Sequence, residues 1–363
     1  MGMTERLDRL QRRHPAAGFP IAVVYKFFDD QGSYLAALIT YYGFLALFPL
    51  LLLLTSLLGF VLGKSPLQHE VLRSTLSQFP VIGSQIGDPQ GLKGSGLGLV
   101  AGVLGTLYGG LGVAQAAQHA MNTAWSVPRN NRPNPFKARG VSLLLLGTVG
   151  LGVLGTTILS GLGSSAGAFG ASIGTGLKVL VIAVSVAVNA GLFLLAFRLA
   201  TARRITVREI APGALLAAVC WQLLQSFGTA YVGHVVKNAS ATNGVFALVL
   251  GLIAWIYLEA AIVVMCTEVN VVRSLHLYPR ALLTPFTDNV DLTRGDKHAY
   301  AAVAKAQRSK GFQEIDVTFH PPEDGAGTPA EPATEAATER EGAEHQASEH
   351  QEPAREGRAD STR

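Results

Sequence analysis

Of the chain's 363 residues 49% are hydrophobic and only 15% charged. Ordinary soluble domains carry roughly 25% charged residues, so a soluble fold is excluded as the main architecture. The 40 glycines agree, because Gly is commoner in membrane helices than in soluble ones. A formal net charge of +4 would also suit a nucleic-acid binder, and the placement of the basic residues decides between the two.

The N-terminal segment, residues 1–33, is basic and is expected to be cytoplasmic. Six stretches then have the roughly 20 apolar residues a membrane helix needs, near 34–62, 97–120, 140–162, 177–199, 210–236 and 245–272. Each must be helical, because an open loop in lipid would leave its N–H and C=O groups unpaired. Arg6, Arg9, Arg12, Arg13 and Lys26 precede the first stretch. Arg129, Arg132, Lys137 and Arg139 lie in the second loop, and Arg198, Arg203, Arg204 and Arg208 flank the fourth. The other loops are poor in Lys and Arg, as an N-in, C-in chain of six spans requires. That distribution accounts for the positive charge without nucleic acid. The expected fold is therefore all-α, a polytopic bundle of six transmembrane helices. No cleavable signal is expected, since the first apolar run is too long for one.

Pro49 falls inside the first span and predicts a kink or break there. In the following loop, Ser65-Pro66-Leu67-Gln68 reads as a capped helix start. Leu67, Val71, Leu72, Leu76 and Phe79 share a face, which predicts an amphipathic outer helix over 66–79. Residues 273–320 read as a small cytoplasmic appendage, with a helix near 297–310 and a strand over 314–319. From 321 to 363 the chain is rich in Pro, Glu, Ala, Thr and Gly without apolar periodicity, and a disordered tail is expected.

Polar residues inside spans point to function, because each is costly unless partnered. Gln115, Gln118 and Asn122 lie on one helix face with His119 beside them. Gln222, Gln225 and Thr229 repeat the spacing in the fifth span. Such stripes line a cavity or hydrogen-bond neighbouring helices together. In the last span Glu259 lies near the middle, a position costing a carboxylate on the order of 3 kcal/mol, which makes it a candidate proton-coupling group. Asn270 shares its face, while Glu268 points the other way and is expected to contact loop arginines. Gly98-x-x-x-Gly102 and Gly105-x-x-x-Gly109 support close helix packing in the second span. Cys220 and Cys266 lack C-x-x-C spacing or a nearby His, so no disulfide framework or zinc site is indicated. No P-loop, dinucleotide or haem motif occurs, and no cofactor is expected.

Several stretches together resemble the YihY/BrkB family of bacterial inner-membrane proteins, also called envelope-integrity proteins and formerly labelled ribonuclease BN. The first span, with Tyr41 and Pro49, looks like that family's opening helix. Asn122-Thr123-Ala124-Trp125 resembles its turn after the second helix, and Trp255, Tyr257, Glu268 and Asn270 fall at its last-helix motifs. The chain departs from the pattern at Thr242-Asn243-Gly244, at Cys266-Thr267 and at Glu259. The resemblance implies a multi-pass protein of the bacterial inner (plasma) membrane.

Three functions follow as expectations. The first is transport or translocation of a lipid-like or small-molecule substrate in support of envelope integrity, without enzymatic activity. The second is a membrane scaffold acting through its tail. The third is the ribonuclease of the old label, against which stands the scatter of single histidines with no H-x-H-x-D-H run. The expected partners are the bilayer and the substrate, with a homo-oligomer left open and no nucleic acid.

Overall fold

The computed structural model describes residues 8, 11, 15–62, 96–168, 175–237, 244–287 and 289–320. It is all-helical over these residues: α1 (Pro15–Asp29), α2 (Gly32–Leu62), α3 (Gly96–Ala124), α4 (Pro135–Ala168), α5 (Thr175–Ala200), α6 (Val207–Lys237), α7 (Gly244–Leu275) and α8 (Arg294–Ala306). A single 3-10 turn, Arg129–Asn131, links α3 to α4. The expected outer helix over 66–79 and the tail from 321 lie outside the described residues.

Four described helical stretches are long and apolar enough to cross a membrane: Val100–Ala124, Ile182–Ala200, Val207–Gln225 and Val249–Leu275. The second of these is only 6% buried inside the protein, and its Ile182, Val184, Val188 and Leu195 are exposed apolar side chains. An outward apolar surface of that size would drive a water-soluble protein to associate, and lipid satisfies it.

α7 is the central helix, packed against α1, α2, α3 and α6, while α2 lies along α3 and α5 along α6. α2 runs unbroken through Pro49. The proline ring rests on α3 where a Cβ at Gly105 would lie 2.7 Å from it. One turn on, a Cβ at Gly109 would meet the Ala46 backbone at 2.6 Å, so the absence of a side chain sets the α2–α3 spacing.

α6 meets α7 in the same way at Pro212-Gly213. Pro212 has no N–H to give the carbonyl of Arg208 four residues back, and Arg273 Nη1 of α7 donates to that carbonyl at 3.2 Å. Gly213 N–H donates to Asn270 Oδ1 at 2.7 Å. A Cβ at Gly213 would stand 2.2 Å from the Cys266 carbonyl, closer than any real contact. Gly213→Ala is therefore expected to cost about 1–3 kcal/mol through forced separation of the two helices, read as an earlier unfolding midpoint in detergent. Wild-type stability in that variant would show that the helices slide apart freely.

Three helices end on a left-handed residue other than glycine: Gln31 after α1, Ser126 after α3 and His276 after α7. After α3 the reversal is closed by Ser126 N–H to Thr123 O (2.8 Å) and Val127 N–H to Asn122 O (2.8 Å). The main buried cluster lies where these ends gather. It joins Ala22 and Val23 of α1, Met121 and Trp125 at the end of α3, Phe197 of α5, Ile210 of α6 and Val271, Val272 and Leu277 of the last membrane helix and its turn.

The stretch 314–319, expected as a strand, forms no strand. Ile315, Val317 and Phe319 alternate as a strand would, but no neighbouring strand exists among the described residues to pair with them. The helix expected near 297–310 is α8, starting at Thr293, whose hydroxyl accepts from Asp296 N–H while Asp296 accepts from Thr293 N–H, a full capping box.

Candidate functional site

α1 and the residue after it carry Ala22, Val23, Lys26, Phe27 and Asp30 on one buried face, the three- and four-residue spacing of an inward stripe. Lys26 thus projects into the gathered helix ends with 1% exposure. There its ammonium bonds Asp30, lies 3.8 Å from Glu268 of α7, and donates to the Ala124 carbonyl at 3.1 Å. Ala124 ends α3, where unpaired carbonyls and the helix dipole favour a cation. With both carboxyls ionised, no hydrogen-bond donor among the described residues reaches either Glu268 oxygen. Its neighbour is the Asp30 carboxyl, and two carboxyls hydrogen-bond each other only when one carries a proton.

One ammonium therefore faces two acids. Burial opposes the Lys26 charge, but the fields of Glu268 and Asp30, with the bond to Asp30, together hold its pKa above the ordinary 10.5. At Asp30 burial outweighs the pull of Lys26, and its pKa lies above the ordinary 3.8. One proton shared between Asp30 and Glu268 leaves one cation against one anion, which resolves the opposed tendencies of the cluster.

A second charged group adjoins the first through Asp29. Arg280, wholly buried, donates from Nη2 to Asp29 at 2.8 Å and from Nε to Asp296 at 2.5 Å. Its guanidinium lies 5.3 Å from the Tyr300 ring centroid, and its carbonyl accepts from Gln11. The two acids hold the Arg280 pKa up despite burial. Tyr25, whose hydroxyl donates to the Leu282 carbonyl at 2.7 Å, has its pKa raised chiefly by burial.

The residues expected to form a polar pathway go to separate places. Gln118 donates to Ser142 Oγ (2.8 Å) and the Ala138 carbonyl (3.2 Å), joining α3 to α4. Asn122 Oδ1 accepts from Ala202 N–H at 2.8 Å, joining α3 to the α5–α6 turn. Gln115 and His119 lie at the surface, while Gln222 and Gln225 are half-buried on α6. The Thr229 side chain lies outside the described residues. Glu259 accepts from Trp255 Nε1 of its own helix at 2.8 Å. Asn270 shares its face, but its Oδ1 accepts from Gly213 N–H while its Nδ2 has no partner among the described residues, and the structure shows no contact between it and Glu259. Glu268 pairs with Lys26 rather than with the loop arginines expected for it, because α1 folds back against α7 and delivers a cation first.

The sequence reading overlooked Lys26 as a buried group, together with Asp30, Arg280 and Asp296. Its available signal was a lysine set inside an apolar stripe, since buried lysines are almost always paired. Among the described residues, no three His, Cys, Asp or Glu side chains gather to hold a metal.

The residues that prompted the resemblance meet here in part. Asn122, Trp125, Glu268 and Asn270 all stand at the gathered ends, whereas Tyr41 is 60% exposed and packs edge-on against Tyr42. Trp255 and Tyr257 lie further along α7. The family model for virulence factor BrkB matches residues 23–286, well over half of the chain. The chain belongs to that family. The BrkB match takes in Lys26, Asp30, Glu268 and Arg280 and leaves out Asp296. A Bacillus subtilis (strain 168) protein named "Putative ribonuclease-like protein YfkH" is 23% identical over 253 residues, covering 66% of this chain and 89% of the relative. No solved structure matches. BrkB membership and the outward apolar helices together make this an integral membrane protein.

Proposed function

We propose that this protein is a six-span, N-in and C-in protein of the bacterial inner membrane. It moves a lipid-like or small-molecule substrate in support of envelope integrity and is not an enzyme. The orientation is supported by the gathering of α1, the α3, α5 and α7 C-termini and the α6 N-terminus at one end. These are the segments whose loops carry the arginines.

The observation that carries the transport reading is Glu268, wholly buried, with only a proton shared with Asp30 to bond it, and set with Asp30 against a single lysine. A surplus acid inside a helix bundle is costly to keep, and such groups mark proton and substrate pathways. A purely architectural pair would need one acid, and the second supplies a place for a mobile proton.

The test is movement of a reporter lipid between leaflets of liposomes holding the purified protein. Wild type is expected to exceed empty liposomes, and Glu268→Gln to fall to the empty rate. Glu259→Gln is expected to keep most of the wild-type rate, because the bond from Trp255 persists to an amide oxygen. No movement above empty liposomes would remove the lipid reading. The relative's printed name favours a second reading, ribonuclease activity, and release of nucleotides from RNA by the same preparation would establish it instead.

A further inference from the structure

The turn between α5 and α6 surrounds an open groove of about 420 Å³ lined by Arg198, Thr201, Ala202, Arg203, Arg204 and Ile205. The turn is firmly held. Ala202 N–H donates to Asn122 Oδ1, the Thr201 hydroxyl donates to the Phe197 carbonyl at 2.8 Å, and Ile205 is buried in the core. The Arg203 guanidinium lies over the Trp125 ring, 5.3 Å from its centroid. Stacking occupies the face of the guanidinium and leaves its N–H edge for an acceptor. The turn and the end of α5 are thus a fixed platform for three arginines, anchored by Asn122 and Trp125.

Among the described residues none of these arginines forms an ion pair. Glu209 interacts electrostatically with Arg203, but its oxygens are engaged by Thr206 and Ser274. Three like charges around one groove repel, and an anion with several acceptor oxygens relieves that repulsion while engaging more than one fork. A phosphate group fits this better than a carboxylate, which offers two oxygens. The surface leading to the groove along α5 is apolar and outward-facing at Ile182, Val184, Val188 and Leu195. An acyl chain can lie along it while a headgroup occupies the groove, and basic pockets beside membrane helices select anionic headgroups in this way.

We propose that this groove binds a phosphate-bearing anion, supplied by an anionic phospholipid headgroup or by soluble phosphate. The inference goes beyond the transport reading, because a headgroup site requires no translocation and is measured at equilibrium.

The test uses the purified full chain in neutral detergent. Retention of phosphatidylglycerol against phosphatidylcholine is counted by mass spectrometry, and binding of inorganic phosphate is titrated separately. Arg203→Ala/Arg204→Ala is the variant, and Arg139→Ala, an exposed arginine outside the groove, is the control. Preferential retention of phosphatidylglycerol, weakened about ten- to a hundredfold in the double variant and kept in the control, assigns a headgroup site. Binding of inorganic phosphate with the same variant pattern but no lipid preference assigns a soluble source. Neither lipid preference nor phosphate binding in wild type, or equal loss in the control, overturns the proposal. If the double variant fails to insert, Arg204→Ala alone, at an exposed position, carries the comparison. Unchanged retention and phosphate binding there count against the groove.

Discussion

Arg280→Ala is expected to destabilise the protein by about 3–5 kcal/mol, the usual result of removing one partner from a buried charged group. Arg280 is wholly buried between Asp29 and Asp296. Without it Asp296, itself fully buried, keeps only its bonds from Ala281 N–H and the Thr293 cap. Arg280 is also a charged tie between α1 and the segment leading into α8, beside the bond from Tyr25 to Leu282, since Asp29 ends the one and Asp296 lies in the first turn of the other. The variant should therefore release residues 277–306 as well as lower the midpoint, read as faster protease cleavage there under native conditions. Asp296→Asn leaves the cap largely in place and should cost less. A loss under about 1 kcal/mol for Arg280→Ala would mean that ion pairing here only offsets the desolvation of three charges.

The membrane helices were legible because lipid imposes one rule on every residue they contain. The run 182–200 is mostly apolar, and the structure leaves Ile182, Val184, Val188 and Leu195 exposed along it. Reading polar residues was harder, since spacing assigns a face but not a neighbour. Gln118 and Asn122 share a face and both join helices, yet Gln118 meets α4 and Asn122 meets the α5–α6 turn. Glu259 attracted attention by its depth and is held by Trp255 of its own helix. Glu268 was placed near the interface and assigned to arginines, although the nearer cation lay in a segment read only for its charge. α1 was missed because orientation needs only a tally of lysines, whereas the site depends on the face of α1 that presents Lys26. Pro49 was expected to kink or break its helix, and α2 continues through it with the ring seated on Gly105.

Lys26→Met is expected to cost about 3–5 kcal/mol, because it leaves Asp30 and Glu268 buried together without a cation and frees the Ala124 carbonyl. Substitution of the acids should reverse this. Adding Asp30→Asn and Glu268→Gln to Lys26→Met replaces three charged groups by neutral ones of similar size, and such replacements are often neutral or stabilising. Recovery of most of the loss in the triple variant, measured as a detergent unfolding free energy, would show that charge imbalance causes it. No recovery would assign the loss to packing of the lysine stem. The pH dependence carries a matching sign. Asp30 has its pKa raised in the folded state, so its contribution is fully present below its unfolded value and is lost as pH rises through the folded one. Lys26, also raised, contributes fully below its unfolded value, and the contribution is lost as pH rises from there through its folded value above 10.5. Stability should therefore fall as rising pH removes the proton shared by Asp30 and Glu268, and fall again as Lys26 loses its charge. Asp30→Asn should flatten the first step and leave the second. If translocation follows the same first step, the proton shared by Asp30 and Glu268 is exchanged during turnover and the charge cluster belongs to the transport pathway. If translocation ignores that step while stability follows it, the cluster only fastens α1 to α7.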